Sequence, residues 1–264
     1  MLVSMWMLPA CHKSDRDFDK STNASTDNTL AQTLFNSLMR QLHEVAMNDT
    51  FTNPSATTLS FDNCVDSVTL LTTGGGYPAT LSVYYNGSAA CDDGFVRSGE
   101  LQISAGGNYT DSLSVYTVTP INYYSDSMLI TGKLTVRNKG KNGGGNSLFS
   151  VDVSDGVIRN DTMRVEWSCR QNWEWTAGAS TAAVTDDVFL ISGTSDGRAR
   201  KGNLFSTEVV TPLHAGLSCK WIGEGEVKVL PNNLSIRLLD YGNGACDKSA
   251  SVTINGKTYD IVMY

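Results

Sequence analysis

Pairs of carboxylates are the first candidates for chemistry in this chain, because glycoside hydrolysis needs two carboxyl groups about 5 to 9.5 Å apart. Glu166 and Glu174 share one face of the segment VEWSCRQNWEWT but are eight residues apart, which is about 26 Å along a strand. They cannot form a catalytic pair. Glu224 and Glu226 in GEGEV are two residues apart, about 7 Å along a strand. That pair meets the distance criterion, but we interpret it as part of a solvated strand face and keep a catalytic pair as the alternative.

Histidines and metal ligands give no recognisable motif. His12 falls in a polar stretch, and neither His43 nor His214 accompanies a Gly-x-Ser-x-Gly nucleophile motif. We expect His214, in TPLHAG, to lie in a loop. The acidic stretch CDDG is too short for a calcium loop, and no Cys-x-x-Cys pair indicates zinc. We therefore predict no catalytic residue, no metal site and no cofactor.

The Trp-rich segment could stack against sugar rings if its aromatic side chains were exposed. Strand alternation places these residues on one face: Val165, Trp167, Cys169, Trp173 and Trp175. Charged residues occupy the other face, so we predict that the aromatic face is core and keep a ligand platform as the alternative. Trp221 is assigned to the same core layer, with Cys219, Val227 and Val229.

Four cysteines have a spacing that indicates disulfides. Cys64 and Cys91 are 27 residues apart, as are Cys219 and Cys246, and each midpoint falls at a turn signal. Residues equidistant from a hairpin turn lie opposite one another, where the Cα separation of a disulfide can be met. We predict these two bridges, with reduced and buried thiols as the alternative.

The N-terminal segment ending at Cys11 resembles a bacterial lipobox, in which a Leu, a variable residue, a small residue and the lipid-bearing Cys follow one another. Leu8, Pro9, Ala10 and Cys11 stand in that order. Pro9 departs from the usual pattern, and no basic region precedes the apolar run. We expect residues 1–11 to be a signal segment with Cys11 lipidated. The alternative is an ordinary buried or disulfide-bonded cysteine.

Composition and charge limit the function classes. The chain has 264 residues, 24 glycines, 18% charged residues and a formal charge of −7, which suits a turn-rich β-protein and disfavours a nucleic-acid partner. We predict a flexible tether at residues 12–26 and one β-rich domain at residues 27–264. An amphipathic helix is predicted at residues 28–47, packed on a sheet, with Asp27 or Asn28 as N-cap and with His43 and Glu44 on or beside its wet face.

After residue 54 the sequence alternates in short segments, and about thirteen strands are predicted. Asp155-Gly156 and Asn255-Gly256 are predicted two-residue hairpin turns, and KNGGGN at residues 141–146 a loop. The fold class is therefore mainly β, a curled antiparallel sheet or sandwich with one N-terminal helix. An internal duplication supports a repeated scaffold: DSMLITG recurs as DVFLISG, SCR as SCK, and YNGSAACD as YGNGACD.

Most of residues 60–264 resembles a group of uncharacterised β-rich lipoproteins of the Bacteroidetes phylum. The likeness rests on FDNCV, YPATLSVYYNGSAACDDGFVRSGELQI, DDVFLISGT, GLSCKWIGEGEVKV and LLDYGNGACDKSASVTINGKTYDI. The resemblance implies that Cys64, Cys91, Cys219 and Cys246 recur and that Cys169 is the free thiol. It supplies no activity.

Together these features predict a cell-envelope lipoprotein, held at the outer membrane by its N-terminal lipid, with a non-enzymatic structural, adhesive or binding role. A glycan or an envelope protein is the expected partner. The alternative is a polysaccharide-binding or glycoside-hydrolysing surface protein.

Overall fold

The computed structural model describes residues 19–48, 51, 63–72, 76–181 and 183–264. This part of the chain contains one α-helix, thirteen strands and a short 3-10 helix at Val184–Asp186. The helix and strands are α1 Asn23–Met47, β1 Val65–Leu70, β2 Ala79–Ala90, β3 Val96–Ala105, β4 Val115–Ser125, β5 Met128–Lys141, β6 Ser147–Arg159, β7 Arg164–Ala177, β8 Val188–Arg198, β9 Leu204–Gly216, β10 Glu224–Pro231, β11 Arg237–Asn243, β12 Ser249–Ile254 and β13 Lys257–Val262. Every strand pairs antiparallel with its neighbour in sequence, in one sheet ordered β1 to β13. The predicted fold class and strand number are confirmed.

The helix is enclosed by the curled sheet. Twenty of the 25 residues of α1 are buried, so sheet covers it on more than one face. The expectation that His43 and Glu44 lie at a wet face is wrong, since they are 0% and 7% exposed. The helix also begins at Asn23, five residues before the predicted start at Asn28. It therefore includes the last part of the predicted tether, of which residues 12–18 lie outside the described residues.

Glycine bulges bend the sheet around the helix. Gly99, Gly132, Gly193 and Gly225 have positive φ angles of 96°, 114°, 124° and 113°, and each lies at a register shift in its strand. Bulges increase local twist and bend the strand. Gly132 and Gly193 end the duplicated segments DSMLITG and DVFLISG. The repeat therefore supplies matching bends to β5 and β8.

The two predicted hairpin dipeptides have different outcomes. Asn255-Gly256 joins β12 to β13, with φ angles of 51° and 77°, as predicted. Asp155-Gly156 lies inside β6 at a register shift, so the hairpin prediction there is wrong. Asp155 uses its positive φ of 54° for a bulge. A Cβ at position 156 would lie 2.8 Å from the ring of Phe35. The absence of a side chain at Gly156 therefore lets the helix pack closely against the sheet at this bulge.

One edge of the sheet holds the hairpins β2–β3, β4–β5, β6–β7, β8–β9, β10–β11 and β12–β13. The part of this edge formed by the last four hairpins, beside the start of the helix, is here called the basal end. Asp27 accepts hydrogen bonds from the backbone N and the Nε of Arg200, at 2.7 and 2.5 Å. Asp19 accepts from Arg237 Nη2 at 2.8 Å and from the Ser235 backbone N at 3.0 Å. The chain therefore enters the fold against the β8–β9 and β10–β11 hairpins.

The last strands are joined to the first half of the sheet by a polar seam. Lys220 lies 3.2 Å from Asp126 and 3.8 Å from the centre of the Phe95 ring. Tyr264 donates its hydroxyl to the Asp126 carbonyl at 2.9 Å, and Trp221 Nε1 donates to the Tyr264 carbonyl at 2.7 Å. Trp221 is thus half-buried in a loop at this seam, whereas Val227 and Val229 belong to the core.

Candidate functional site

A buried polar cluster surrounds His43, near the C-terminal end of α1. His43 Nε2 lies 2.8 Å from Asp187 Oδ2, and its Nδ1 lies 3.0 Å from the Tyr109 hydroxyl. Trp175 donates Nε1 to the other oxygen of Asp187 at 2.9 Å. The rings of Tyr109, Trp175 and Phe189 meet the imidazole edge-on, at 5.0 to 5.4 Å between centres. The sequence offered only a lone histidine here, because its partners come from the β3–β4 and β7–β8 connections.

A histidine oriented by a carboxylate is the arrangement of a general base, but this one faces the interior. His43 and Asp187 have side chains 0% and 2% exposed, and Tyr109 is 2% exposed. Burial, with a smaller effect from the charge of Asp187, raises the pKa of the Tyr109 hydroxyl well above its ordinary value. A substrate has no access to these atoms, so the cluster fixes the helix to the sheet.

A second cluster joins the middle of α1 to the β2–β3 hairpin. Asp93 pairs with Arg97 through both carboxylate oxygens, one contact being 2.8 Å, and Arg40 lies 3.9 Å away. Arg97 also donates to Ser37 at 2.6 Å. Burial alone would raise the pKa of Asp93, but the hydrogen bond and charge of Arg97 hold it below its ordinary value. Asp93, the second carboxylate of CDDG, therefore forms a structural ion pair.

Amide and hydroxyl groups connect the first half of α1 to β7 and β8. Gln32 and Gln171 exchange hydrogen bonds of 2.7 and 3.2 Å through their side-chain amides. Asn28 accepts from Trp167 Nε1 at 3.0 Å and from the Ser195 hydroxyl at 3.1 Å. Gln171 follows the inward alternation of β7, a signal that sequence reasoning could have used to predict a polar partner inside.

The aromatic face of β7 is core, as predicted. Trp167, Trp173 and Trp175 are 2%, 1% and 5% exposed, which leaves no ring free to stack on a sugar. Cys169 is 5% exposed on the same face. Burial raises the pKa of its thiol to about 12, so it stays protonated and unreactive at neutral pH.

The acidic candidates lie apart on the outer face. Glu166 bridges Arg164 at 3.1 Å and Arg198 at 3.4 Å. Glu174 accepts amide hydrogen bonds from the β5–β6 loop, which lower the pKa of its carboxyl. The structure therefore gives Glu166 and Glu174 separate partners.

Glu224 and Glu226 flank the bulge at Gly225 on β10. Glu224 is exposed, and Glu226 accepts from the Thr211 hydroxyl at 2.9 Å. His214 lies opposite Glu224 in strand β9, so the predicted loop position of His214 is wrong. A neutral hydroxyl partner on a solvated strand face gives Glu226 no evident catalytic role.

Both predicted disulfides are present. Cys64–Cys91 and Cys219–Cys246 have Cα separations of 4.7 and 5.7 Å and clamp the open ends of the β1–β2 and β10–β11 hairpins. Cys169 is free. Cys11, the predicted lipidation site, lies outside the described residues.

Two shallow grooves cross the outer face toward the basal end. The first, of about 740 Å³, includes Arg164, Glu166, Arg198 and Leu204 in its lining. The second, of about 850 Å³, includes Tyr124 and Arg159. The exposed side chains that line both grooves are mostly polar.

Within the described residues no group of three or more His, Cys, Asp or Glu side chains could hold a metal ion. In the same part of the chain, α1 is too polar to cross a membrane as a helix. No protein-family model, curated protein or solved structure matches this chain.

Proposed function

We propose that this protein is a cell-envelope lipoprotein, anchored in the outer membrane through Cys11, with a non-enzymatic structural, adhesive or binding role. The observation that carries the proposal is the pair of disulfides. Disulfides persist in extracytoplasmic compartments and are rare where thiols are kept reduced. A lipobox-like segment before Cys11 in a disulfide-bonded protein is consistent with export and lipidation.

The non-enzymatic role is supported by where the chemically capable side chains lie. His43 and Asp187 are enclosed, and Asp93 is held by arginine. Glu166 is bridged by two exposed arginines. Each of these groups is already engaged in holding the fold, which suits a rigid scaffold.

The alternative proposal, a polysaccharide-binding or glycoside-hydrolysing protein, now rests on Glu224 and Glu226. Its main support was an exposed Trp-rich strand, and Trp173 and Trp175 are buried. A glycan array with the folded protein tests this alternative directly.

Metabolic labelling with radioactive palmitate tests the lipid anchor. We expect label in the wild-type protein and in Cys169→Ala, which removes a cysteine that is buried and unpaired, but none in Cys11→Ala. Globomycin should cause the unprocessed precursor to accumulate. Equal labelling of Cys11→Ala, or a mature protein that retains Met1, would refute the anchor.

A further inference from the structure

The basal end carries a basic surface on an acidic protein. Its four hairpin turns, at residues 159–164, 198–204, 231–237 and 254–257, contain one exposed acidic residue, Asp161. They also contain six exposed cationic residues: Arg159, Arg164, Arg198, Arg200, Lys201 and Lys257. Arg164 and Arg198 share Glu166, and Arg200 pairs with Asp27, so the excess charge comes mainly from Arg159, Lys201 and Lys257. The whole chain has a formal charge of −7, so this excess is local.

The connections at the opposite end have the reverse balance. Counted in the same way, with the strand residue on each side of every turn, the described connections there carry five acidic residues and three lysines: Asp111, Asp186, Asp187, Glu224, Asp247, Lys141, Lys220 and Lys248. The part of the sheet from β6 to β13 therefore has a basic and an acidic end, whereas the β2–β3 and β4–β5 turns carry Asp92, Asp93 and Asp126. An anionic surface would attract the basal end first.

Aliphatic side chains are exposed at the same end. Leu234, Ile236 and Leu238 are 39%, 55% and 37% exposed in and beside the β10–β11 turn. Leu204 of the β8–β9 hairpin is 44% exposed, and its carbonyl accepts from the Asn232 backbone N at 2.9 Å. The two hairpins are thus neighbours, and their exposed aliphatic residues lie at the same end of the sheet as the cations.

The covalent chain also directs this end toward a lipid on Cys11. Asp19 is fixed to the β10–β11 hairpin by Arg237 and Ser235, and it follows Cys11 by eight positions in the chain. Even fully extended, eight residues reach about 28 Å. A lipidated Cys11 would therefore hold the basal end closer to the bilayer than the opposite end.

We propose that the basal surface, made of the six cations and the four aliphatic residues named above, docks on anionic phospholipid headgroups. Cations attract the headgroups, and the aliphatic side chains of the β10–β11 turn enter the interfacial region. The orientation relative to Cys11 rests on the proposed lipid anchor, but the contact itself uses side chains of the folded domain. Docking would orient the domain with its basal end on the membrane and its acidic end directed away from the membrane.

Vesicle co-sedimentation with the full chain carrying Cys11→Ser tests the surface without any lipid anchor. We expect binding to vesicles of equimolar phosphatidylglycerol and phosphatidylcholine, weaker binding to pure phosphatidylcholine, and loss of the difference at 1 M salt. The double variant Lys201→Glu, Lys257→Glu should weaken binding about 30-fold or more.

The matched control, Lys139→Glu with Lys141→Glu, makes the same charge change on exposed residues at the opposite end and should leave binding within about threefold. Ile236→Ser with Leu238→Ser should also weaken binding, whereas Leu113→Ser, 69% exposed at the opposite end, should not. Near-ultraviolet circular dichroism checks that each variant is folded.

Absent binding to the anionic vesicles, or equal loss in the basal and control charge variants, would overturn the proposal. Its failure is distinguishable from failure of the anchor. Vesicle binding without palmitate labelling would support the docking surface and refute the lipid anchor. Labelling without vesicle binding would support the anchor and refute the docking surface.

Discussion

The buried carboxylate of Asp93 gives the sharpest test of how this fold is held together. Its side chain is 2% exposed and pairs with Arg97, 0% exposed, while Arg40 is 10% exposed. Asp93→Ala would remove the carboxylate that two interior guanidinium groups share. Breaking a buried pair from one side costs about 3 to 5 kcal/mol, because a buried charge loses its compensation.

Glu166 offers a matched control on the surface. It also lies between two arginines, Arg164 and Arg198, but its side chain is 42% exposed and those of the arginines 56% and 49%. Glu166→Ala should cost less than about 1 kcal/mol, because water and salt screen an exposed ion pair. Both variants remove one carboxylate from an Arg–carboxylate–Arg arrangement, so burial is the main difference.

Urea unfolding at neutral pH, with the disulfides intact, measures both changes in the free energy of unfolding. The double variant Asp93→Ala, Arg97→Met should be less destabilised than the sum of the two single variants, because each single change strands a charge that the other removes. Equal costs for Asp93→Ala and Glu166→Ala, or simple additivity in the double variant, would refute the reasoning.

Three further predictions test other parts of the structure. First, the pKa of Asp93 lies below its ordinary value of 3.8, so its ionised form stabilises the fold above about pH 4 and this contribution is lost as the pH falls through the lowered pKa. In urea unfolding between pH 2 and 7, the free energy of unfolding of Asp93→Asn should therefore fall less steeply at acid pH than that of the wild type. An unchanged dependence on pH would contradict the ion-pair assignment. Second, Gly193→Ala would place a Cβ 2.3 Å from the Arg170 carbonyl, whereas at Gly256, with φ also positive, nothing lies within 4 Å. Gly193→Ala should therefore cost several kcal/mol and Gly256→Ala about 1 kcal/mol, and equal thermal unfolding midpoints would refute the role of the bulge. Third, non-reducing mass analysis should show two disulfides, and a thiol reagent should modify Cys169 only on unfolding. Replacing Cys64 and Cys91 by Ser should lower stability by about 3.5 kcal/mol, from closure of the 27-residue loop, and rapid labelling of native Cys169 would contradict its burial.

Local sequence patterns predicted those parts of the fold that depend on near neighbours. Alternation identified the strands and the buried face with Trp173 and Trp175. Equal spacing about a turn identified both disulfides, because a hairpin brings its two ends together whatever the rest of the chain does. Asp155-Gly156 shows the limit, since a dipeptide that tolerates positive φ serves a bulge as well as a turn.

The sequence by itself determined a β-rich chain with one helix and a cysteine spacing that predicts two disulfides. The tertiary structure decided that the sheet wraps the helix and that polar helix residues are core residues. An amphipathic pattern cannot show this, because burial of His43 depends on Asp187, 144 residues away, and burial of Asn28 depends on Trp167, 139 residues away. A polar side chain is stable inside only when a distant strand supplies its hydrogen-bond partner, and that pairing is set by the curl of the whole sheet.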